Sequence, residues 1–292
     1  MKNSFKKNLP FFEGWYFKHY NGQDTVTFIV GRNIGVNGSG SAFIQVLTND
    51  NSYNFNYPLD TFRFFKKKLI IKVGTSYFTD KGIYVDINTG RFQLKGKLLY
   101  SNLTPIKYPL MGPFNLIPKM ECRHEIISMD HNVFGNLKIN SETISFDNGS
   151  GYIESDMGHS FPKNYTWLQC NSFNNIKASI MLAVADVPVL KTSFKGSLCV
   201  INYNNQEYRF ATYLGAKVDF CNNYCIILKQ RKYKLVVKFN ASAGQKLLAP
   251  KQGNMSKIIY ECTNTKANFW FYNGDNLVFY GNTDNCSYEI VK

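Results

Sequence analysis

The chain has 292 residues, more than one compact core usually organises, so we expect one large domain or two of medium size. Hydrophobic residues make up 44% and aromatic residues 16%, which excludes general disorder. The formal charge is +14, from 34 lysines and arginines against 20 acidic residues, and such a balance attracts nucleic acid, anionic lipid or acidic metabolites.

Short segments rich in β-branched and aromatic residues follow one another along the chain. Glycine, asparagine or aspartate bounds each of them, which is typical of strands and tight hairpins. The predicted strands are 25–30 (TVTFIV), 41–47 (SAFIQVL), 68–73 (KLIIKV), 82–87 (GIYVDI), 197–203 (SLCVINY), 225–230 (CIILKQ), 233–239 (YKLVVKF) and 268–272 (NFWFY).

No long stretch has apolar residues at helical spacing; the best candidate, 176–185, fits strand alternation equally well. Closely spaced hairpins indicate antiparallel sandwiches or barrels. The proline- and glycine-rich stretch 105–118 (PIKYPLMGPFNLIP) is the longest segment without a strand pattern, and we expect it to cross between sheets.

Seven cysteines without the spacing of a small disulfide scaffold predict free thiols in a reducing compartment. The first dozen residues contain no apolar run of signal-peptide length, and no stretch approaches the roughly 20 apolar residues that span a bilayer. These observations predict a cytoplasmic location.

The first segment of chemical interest is 11–18 (FFEGWYFK). On a strand, Glu13 and Trp15 share one face with Phe11, Phe17 and His19. Glu13 is then either in water at an edge strand or in a pocket between aromatic rings, where burial would raise its pKa.

The second segment, 120–131, contains residue types that bind metals: Glu121, Cys122, His124 and His131. Strand alternation places Glu121 and His131 on one face but Cys122 and His124 on the other. A metal needs ligands that converge on one point, so the pattern disfavours a metal here unless a bulge brings the four side chains together.

The third segment, 151–171 (GYIESDMGHSFPKNYTWLQCN), is interpreted as a hairpin. Two sets of residues then share one face, while Ile153, Leu168 and Cys170 point to the other. The shared face holds Tyr152, Glu154 and Asp156 on the first strand and Tyr165, Trp167, Gln169 and Asn171 on the second, with His159 in the loop. Three large rings on one face favour a cavity lining over a wet surface.

These segments resemble recurrent blocks of the tocopherol cyclase family. The family's form of the third block resembles Gly-Tyr-x-Glu-Lys-Asn-Trp-Gly-x-x-Phe-Pro, then Trp-x-Gln-x-Asn. This sequence has Ser155, Asp156 and Met157 where lysine, asparagine and tryptophan are usual. The similar stretches are 11–18, 111–114 (MGPF), 120–124 (MECRH), 128–131 (SMDH), 151–171, 211–218 (ATYLGAKV) and 247–261 (LLAPKQGNMSKIIYE).

The resemblance implies an all-β protein of two consecutive lipocalin-like antiparallel β-barrel domains with little helix, similar also to the carotenoid hydratase type of protein. The ligand would lie in a barrel mouth or in the cleft between the domains. We expect the division after Pro162, which gives an N-terminal domain at 1–162 and a C-terminal domain at 163–292.

The family's activity implies protonation of an alkene in a prenylated quinol and closure of a ring on the resulting cation, or its hydration. Such chemistry needs a positioned acid, aromatic rings and a dry pocket. Asp156 or Glu154 would be the acid and His159 would orient it or shuttle the proton, while Trp15 and Trp167 would face the cation. No metal or organic cofactor is required. The remaining substrate-binding candidates are Glu13, Glu121, His124, Tyr152, Tyr165, Gln169 and Asn171.

Two other functions compete with this one. The same barrel could be a non-catalytic carrier of an apolar ligand. The charge could instead serve an anionic membrane surface or nucleic acid, since lysines and aromatics interleave at 63–72 (RFFKKKLIIK). The absence of a nucleic-acid motif favours an apolar small molecule and an anionic membrane as partners, with the oligomeric state left open.

Overall fold

The computed structural model describes residues 10–118, 120–189, 192–240 and 242–292. Residues 1–9, on which the signal-peptide interpretation partly depends, lie outside the described residues. The described chain is almost entirely β, and its helical elements are short 3-10 turns at Leu59–Thr61, Lys66–Lys68, Gly112–Leu116 and Thr212–Leu214. The prediction of an all-β protein with little helix is confirmed.

The first sheet has twelve antiparallel strands. They are β1 (Phe11–Tyr20), β2 (Thr25–Ile34), β3 (Gly40–Leu47), β4 (Ser52–Pro58), β5 (Phe62–Phe65), β6 (Ile70–Val73), β7 (Ser76–Thr79), β8 (Gly82–Asn88), β9 (Gln93–Ser101), β10 (Cys122–Ile139), β11 (Glu142–Ser145) and β12 (Gly149–Gly158). Their order is β4-β3-β2-β1-β12-β10-β9-β8-β7-β6-β5, and β11 pairs with β10.

The second sheet has ten strands. They are β13 (Tyr165–Cys170), β14 (Ala178–Val189), β15 (Thr192–Tyr203), β16 (Gln206–Ala211), β17 (Lys217–Cys221), β18 (Cys225–Gln230), β19 (Tyr233–Phe239), β20 (Gln245–Lys251), β21 (Asn254–Asn273) and β22 (Asn276–Val291). Their order is β16-β15-β14-β13-β22-β21-β19-β18-β17, and β20 pairs with β21.

Neither strand order closes on itself. Within the described residues, the first order ends at β4 and β5 and the second at β16 and β17, with no ladder joining the two ends. The two antiparallel sheets are therefore as predicted, but the predicted closure of each sheet into a barrel is not found among the described strands. The predicted helix candidate at 176–185 is also strand, since β14 covers most of it.

The chain forms two compact units with separate apolar cores. Unit 1 contains 1–105, 121–161 and 248–257, and unit 2 contains 106–120, 162–247 and 258–292. The chain passes from one unit to the other between Phe161 and Pro162, and each unit also includes a shorter segment from elsewhere in the chain, 248–257 in unit 1 and 106–120 in unit 2.

The predicted turns have a clear backbone cause. Asn148, Asn204 and Asn205 adopt left-handed φ values of 63°, 51° and 60°. Asparagine tolerates this conformation better than most residues, so it suits tight connections between antiparallel strands.

The proline-rich stretch 105–118 joins β9 and β10, which are neighbours in the first sheet, so the prediction that it connects the two sheets is wrong. All of it after Pro105 belongs to unit 2. There the Arg209 guanidinium donates to the carbonyls of Tyr108 and Pro109 and lies 3.6 Å from the centre of the Tyr108 ring. The Tyr213 hydroxyl donates to the Leu110 carbonyl, and Gly112 has a φ of 48° with no room for a Cβ beside the Tyr213 ring. Two blocks of the family resemblance, MGPF and ATYLGAKV, thus pack against each other.

The helices of the described chain are all short 3-10 turns. No helix in the described part of the chain is both long and apolar enough to cross a membrane.

Candidate active site

The candidate site is built on β12, which lies between β1 and β10 in the first sheet. Ile153 points into the core of unit 1, so alternation sends Tyr152, Glu154 and Asp156 to the opposite face. Tyr152 and Glu154 are buried there, although they lie outside the apolar core. The predicted shared face of these three residues is confirmed.

A chain of polar contacts runs along this face. The Tyr152 hydroxyl donates to Glu154 Oε2 at 2.5 Å, and His124 on β10 hydrogen-bonds through Nδ1 to Asp156 Oδ1 at 2.8 Å. His124 Nε2 lies 3.2 Å from Glu154 Oε2 in an ion-pair contact. The Cys122 thiol donates to Asp156 Oδ1 at 3.3 Å. One imidazole therefore stands between two carboxylates.

Electrostatics decide where a proton resides in this cluster. Burial alone would lower the pKa of His124, but the charges of Glu154 and Asp156 and the hydrogen bonds to them raise it well above the ordinary value. Burial and the neighbouring carboxylates raise the pKa of the Tyr152 hydroxyl and of the Cys122 thiol, so both keep their protons. His124 is accordingly a cation at neutral pH.

Asp156 is the more accessible of the two carboxylates. Its side chain is 19% exposed, against 5% for Glu154. Both described donors to Asp156, from Cys122 and His124, contact Oδ1, and none of the contacts of the described residues involves Oδ2. Oδ2 thus has no contact with the described residues, and it belongs to the more exposed of the two carboxylates.

Strand pairing adds two residues that sequence reasoning did not select. Tyr16 lies opposite Glu154 and Lys18 lies opposite Tyr152 on β1, so both share the face of the cluster. The Tyr16 and Tyr152 rings meet edge to face at 6.4 Å, and Lys18 is only 1% exposed. The sequence feature that could have indicated this second buried face is the nearly unbroken apolar run of 11–17, which is typical of a strand buried on both faces.

The same three groups could hold a metal ion. His124, Glu154 and Asp156 each offer one ligand atom, and these atoms lie within 4.8 Å of one another. This set differs from the one considered in the sequence, where Glu121 precedes β10 and His131 faces the core. The two carboxylates contact different nitrogens of one ring, whereas a metal would draw all its ligands to a single point. The geometry therefore favours a protonated His124 ring that faces one carboxylate at each nitrogen.

Glu13 and Trp15 lie on the other face of β1, so the structure does not bring them to the cluster. Trp15 packs in the core against Phe62 and Phe64, with ring centres 6.4 and 4.5 Å apart. Glu13 is buried and bonded to Arg32 at 2.6 Å. Burial raises the pKa of Glu13 against the opposing charges of Arg32 and Lys66. Glu13 is therefore buried on a central strand and is not in water at an edge strand, and Trp15 cannot face a cation held at Asp156.

Two further histidines, His19 and His131, are buried among the core residues of unit 1. His19 Nδ1 donates to the Val26 carbonyl, and its Nε2 accepts from the Tyr100 hydroxyl at 2.5 Å. The His131 ring lies 4.5 Å from the Tyr100 ring. Desolvation lowers the pKa of His19 to about 4 and that of His131 to about 3, so both rings are neutral at pH 7. Gly151 faces His131 and leaves no space for a side chain.

The hairpin interpretation of 151–171 is wrong. β12 pairs with β1 and β10, whereas β13 belongs to the second sheet and pairs with β14 and β22. Ile153 lies in the core of unit 1, and Leu168 and Cys170 lie in that of unit 2. The seven face residues therefore form two sets, each on its own sheet and each pointing away from its own core.

The set on β13 has its own contacts within unit 2. The Tyr165 hydroxyl donates to Glu289 Oε2 at 2.7 Å, and the Gln169 amide donates to Asn171 Oδ1 at 3.1 Å. Trp167 lies between Ala183 and Glu289 on the flanking strands and is buried.

His159 and Glu121 meet through their backbones, since the N–H of His159 donates to the Glu121 carbonyl at 2.9 Å. The His159 ring contacts Ser160 at 3.2 Å, and among the described contacts none joins it to Glu154 or Asp156. His124, and not His159, is therefore the histidine in contact with the two carboxylates.

The family can be assigned from the sequence. A family model described as tocopherol cyclase-like matches residues 91–290, well over half of the chain. The chain belongs to the tocopherol cyclase-like family. The match contains β10 and β12 and hence the whole of the His124, Glu154 and Asp156 cluster.

One curated relative is a probable tocopherol cyclase of the chloroplast from Oryza sativa subsp. japonica. It is 24% identical over 136 residues, which cover 44% of this chain and 29% of the rice protein. This chain therefore matches less than a third of that relative's length.

Solved structures of similar fold cover nearly the whole chain. Kievitone hydratase from Nectria haematococca has a TM-score of 0.57 at 13% identity, covering 95% of this chain and 88% of its own. CghA has a TM-score of 0.61 at 9% identity, and the match covers 97% of this chain and 88% of CghA. An AttH-type protein from Nitrosomonas europaea has a TM-score of 0.58 at 11% identity, and the match covers 97% of this chain and 92% of that protein. At these identities the likeness establishes the lipocalin-like double fold alone.

Proposed function

We propose that this protein catalyses acid-dependent ring closure or hydration of an alkene in an apolar, isoprenoid-type molecule such as a prenylated quinol. The observation that supports the proposal is the buried contact of one cationic imidazole with two carboxylates, on strands inside the family match. The substrate class is inferred from the names of the rice tocopherol cyclase and of kievitone hydratase.

In this proposal the resting pair is the His124 cation and the Asp156 carboxylate. Asp156 acts as the general acid after it takes up a proton from solvent at Oδ2, and it delivers that proton to the alkene. A carboxylic acid is a stronger acid than an imidazolium, so it is the better donor to a carbon of low basicity. The His124 cation, 2.8 Å from Oδ1, then stabilises the carboxylate that the transfer leaves behind. Glu154 holds the other side of the His124 ring and accepts the Tyr152 hydrogen bond.

The reaction balances without a second reactant when a ring closes. The proton of Asp156 adds to one alkene carbon, and the cation forms at the other. A phenolic oxygen of the same substrate attacks the cation, its O–H bond breaks, and the proton returns to the Asp156 carboxylate. The product is an isomer of the substrate. In the hydration variant a water molecule takes the place of the phenol.

Incubation of the purified protein with a prenylated quinol in deuterium oxide tests this function. The expected product carries one solvent-derived deuterium on a carbon that does not exchange, because the acid proton equilibrates with solvent before each turnover. Mass spectrometry of the extracted product locates that label.

A product without the carbon-bound label would exclude alkene protonation. An apolar molecule recovered unaltered from the protein, with no prenylated quinol or polyene converted, would instead support the non-catalytic carrier function. Protein denatured before the incubation is the control for uncatalysed cyclisation.

A further inference from the structure

We propose that the β5–β6 turn of unit 1 docks on an anionic lipid surface. The docking element consists of Phe65, Lys66, Lys67 and Lys68, and we call it the basic tip. This inference is independent of the chemistry proposed above, because it rests only on the exposed surface of the turn.

The basic tip combines an exposed ring with three exposed cations. Phe65 is 57% exposed, and the side chains of Lys66, Lys67 and Lys68 are all exposed. None of the ion pairs found in the described part of the chain involves these lysines. Their charge is therefore available to an anionic partner.

The packing of β5 turns the tip outwards. Alternation places Phe62 and Phe64 on the inner face, where both contact the Trp15 ring, and it places Phe65 on the outer face. After the 3-10 turn, Leu69 adopts a left-handed φ of 40° and packs against the core. The two ends of the turn are thus anchored, and the exposed ring and cations are presented between them.

A second exposed apolar residue lies at the same end of the first sheet. Val36, in the turn between β2 and β3, is 62% exposed. Arg32 at the end of β2 lies over the Phe62 ring at 5.0 Å, and Lys66 acts electrostatically on Glu13 near the start of β1. Both turns therefore belong to the end of the sheet at which β1 begins.

These features fit a lipid surface better than nucleic acid. A single-strand binder stacks successive bases on several exposed rings, but Phe62 and Phe64 are turned inwards and only Phe65 of the three remains accessible. One apolar anchor beside several lysines suits an anionic bilayer, where the ring enters the interface and the cations meet the headgroups.

Flotation with vesicles tests the proposal. The full-length protein is mixed with phosphatidylcholine vesicles that contain about 30 mol% phosphatidylserine, and with vesicles of phosphatidylcholine alone. We expect binding to the anionic vesicles that weakens as salt is added. Replacing Lys66, Lys67 and Lys68 together by glutamine should lower the partition coefficient about 100-fold, since each lysine near the surface contributes a factor of about five.

The matched control replaces Lys81, Lys97 and Lys138 together by glutamine. These lysines are also exposed and lie in unit 1, so the net charge changes by the same amount. We expect the control to retain nearly all vesicle binding, and Phe65→Ser to weaken it at every salt concentration. Circular dichroism confirms that each variant folds.

Three results would overturn the proposal. The first is an equal loss of binding in the two triple variants, which would indicate a general charge effect. The second is equal binding to both kinds of vesicle. The third is a preference for a single-stranded oligonucleotide that disappears in the Lys66, Lys67 and Lys68 variant, which would assign the basic tip to nucleic acid.

Discussion

Asp156→Asn is expected to lower turnover of a prenylated quinol about 10²- to 10⁴-fold, the range that a positioned general acid contributes. The amide keeps an oxygen that can accept the His124 hydrogen bond but has no acidic proton to transfer. Binding of the apolar substrate should change little, so the loss falls on kcat with KM nearly constant. Steady-state kinetics on the purified variant measure both.

Asp60→Asn makes the same chemical change at an exposed carboxylate of unit 1 and should leave turnover unaltered. His124→Gln removes the cation that stabilises the carboxylate product, and we expect a loss in kcat together with a shifted pH profile. Full activity in Asp156→Asn would show that the acid lies elsewhere.

The second large effect concerns acid stability. His19 and His131 are buried as neutral rings with pKa values lowered to about 4 and about 3, whereas in the unfolded chain each titrates near about 6.5. Their contribution is complete above pH 6.5 and is lost as pH falls, because the unfolded chain then binds the protons first. At about pH 4.5 each ring should cost about 2.7 kcal/mol of unfolding free energy.

The shifted pKa values of His124 and Glu13 do not mimic this loss. The pKa of His124 is raised in the folded state, so its contribution is complete below pH 6.5 and is lost only as pH rises through that higher pKa. The pKa of Glu13 is raised as well, so its protonation favours the folded state and offsets part of the loss. The buried pair is in contact with Tyr100, Phe28 and Phe146 and with no carboxylate among the described contacts.

Urea unfolding at pH 7 and pH 4.5 measures the effect. In His131→Asn the fall in stability between the two pH values should be smaller by about 2.7 kcal/mol, since one of the two rings no longer titrates. Ser128 can still hydrogen-bond to the new side chain, as it does to His131 Nδ1. His159→Asn, at a ring that is partly exposed and contacts Ser160, is the matched histidine-to-asparagine control. An unaltered fall in His131→Asn would contradict the assignment.

The strands could be read from the sequence because their cause is local. Segments such as 25–30 and 233–239 alternate or are continuously apolar, and asparagines such as Asn204 tolerate the backbone that a tight turn requires. The same alternation correctly gave Tyr152, Glu154 and Asp156 a common face.

The residue that contacts this face from the neighbouring strand, His124, could not be predicted from alternation. His124 meets Asp156 because β10 and β12 pair across about 30 residues of chain, in a register that shifts between Ile126 and Ser128 and again before His131. No local pattern specifies such a register. The predicted hairpin failed for the same reason, because two strands close in sequence joined different sheets around Pro162.

Titration of the His124 ring by NMR, in protein labelled with nitrogen-15, tests the proposed acid site most directly. With Glu154 and Asp156 on its two nitrogens, His124 should remain a cation with both nitrogens protonated well above the pH at which an ordinary histidine loses its proton. In Asp156→Asn its pKa should fall, because one of the two stabilising charges is gone. A His124 ring that is already neutral at pH 7 in the unmodified protein would contradict the site described here.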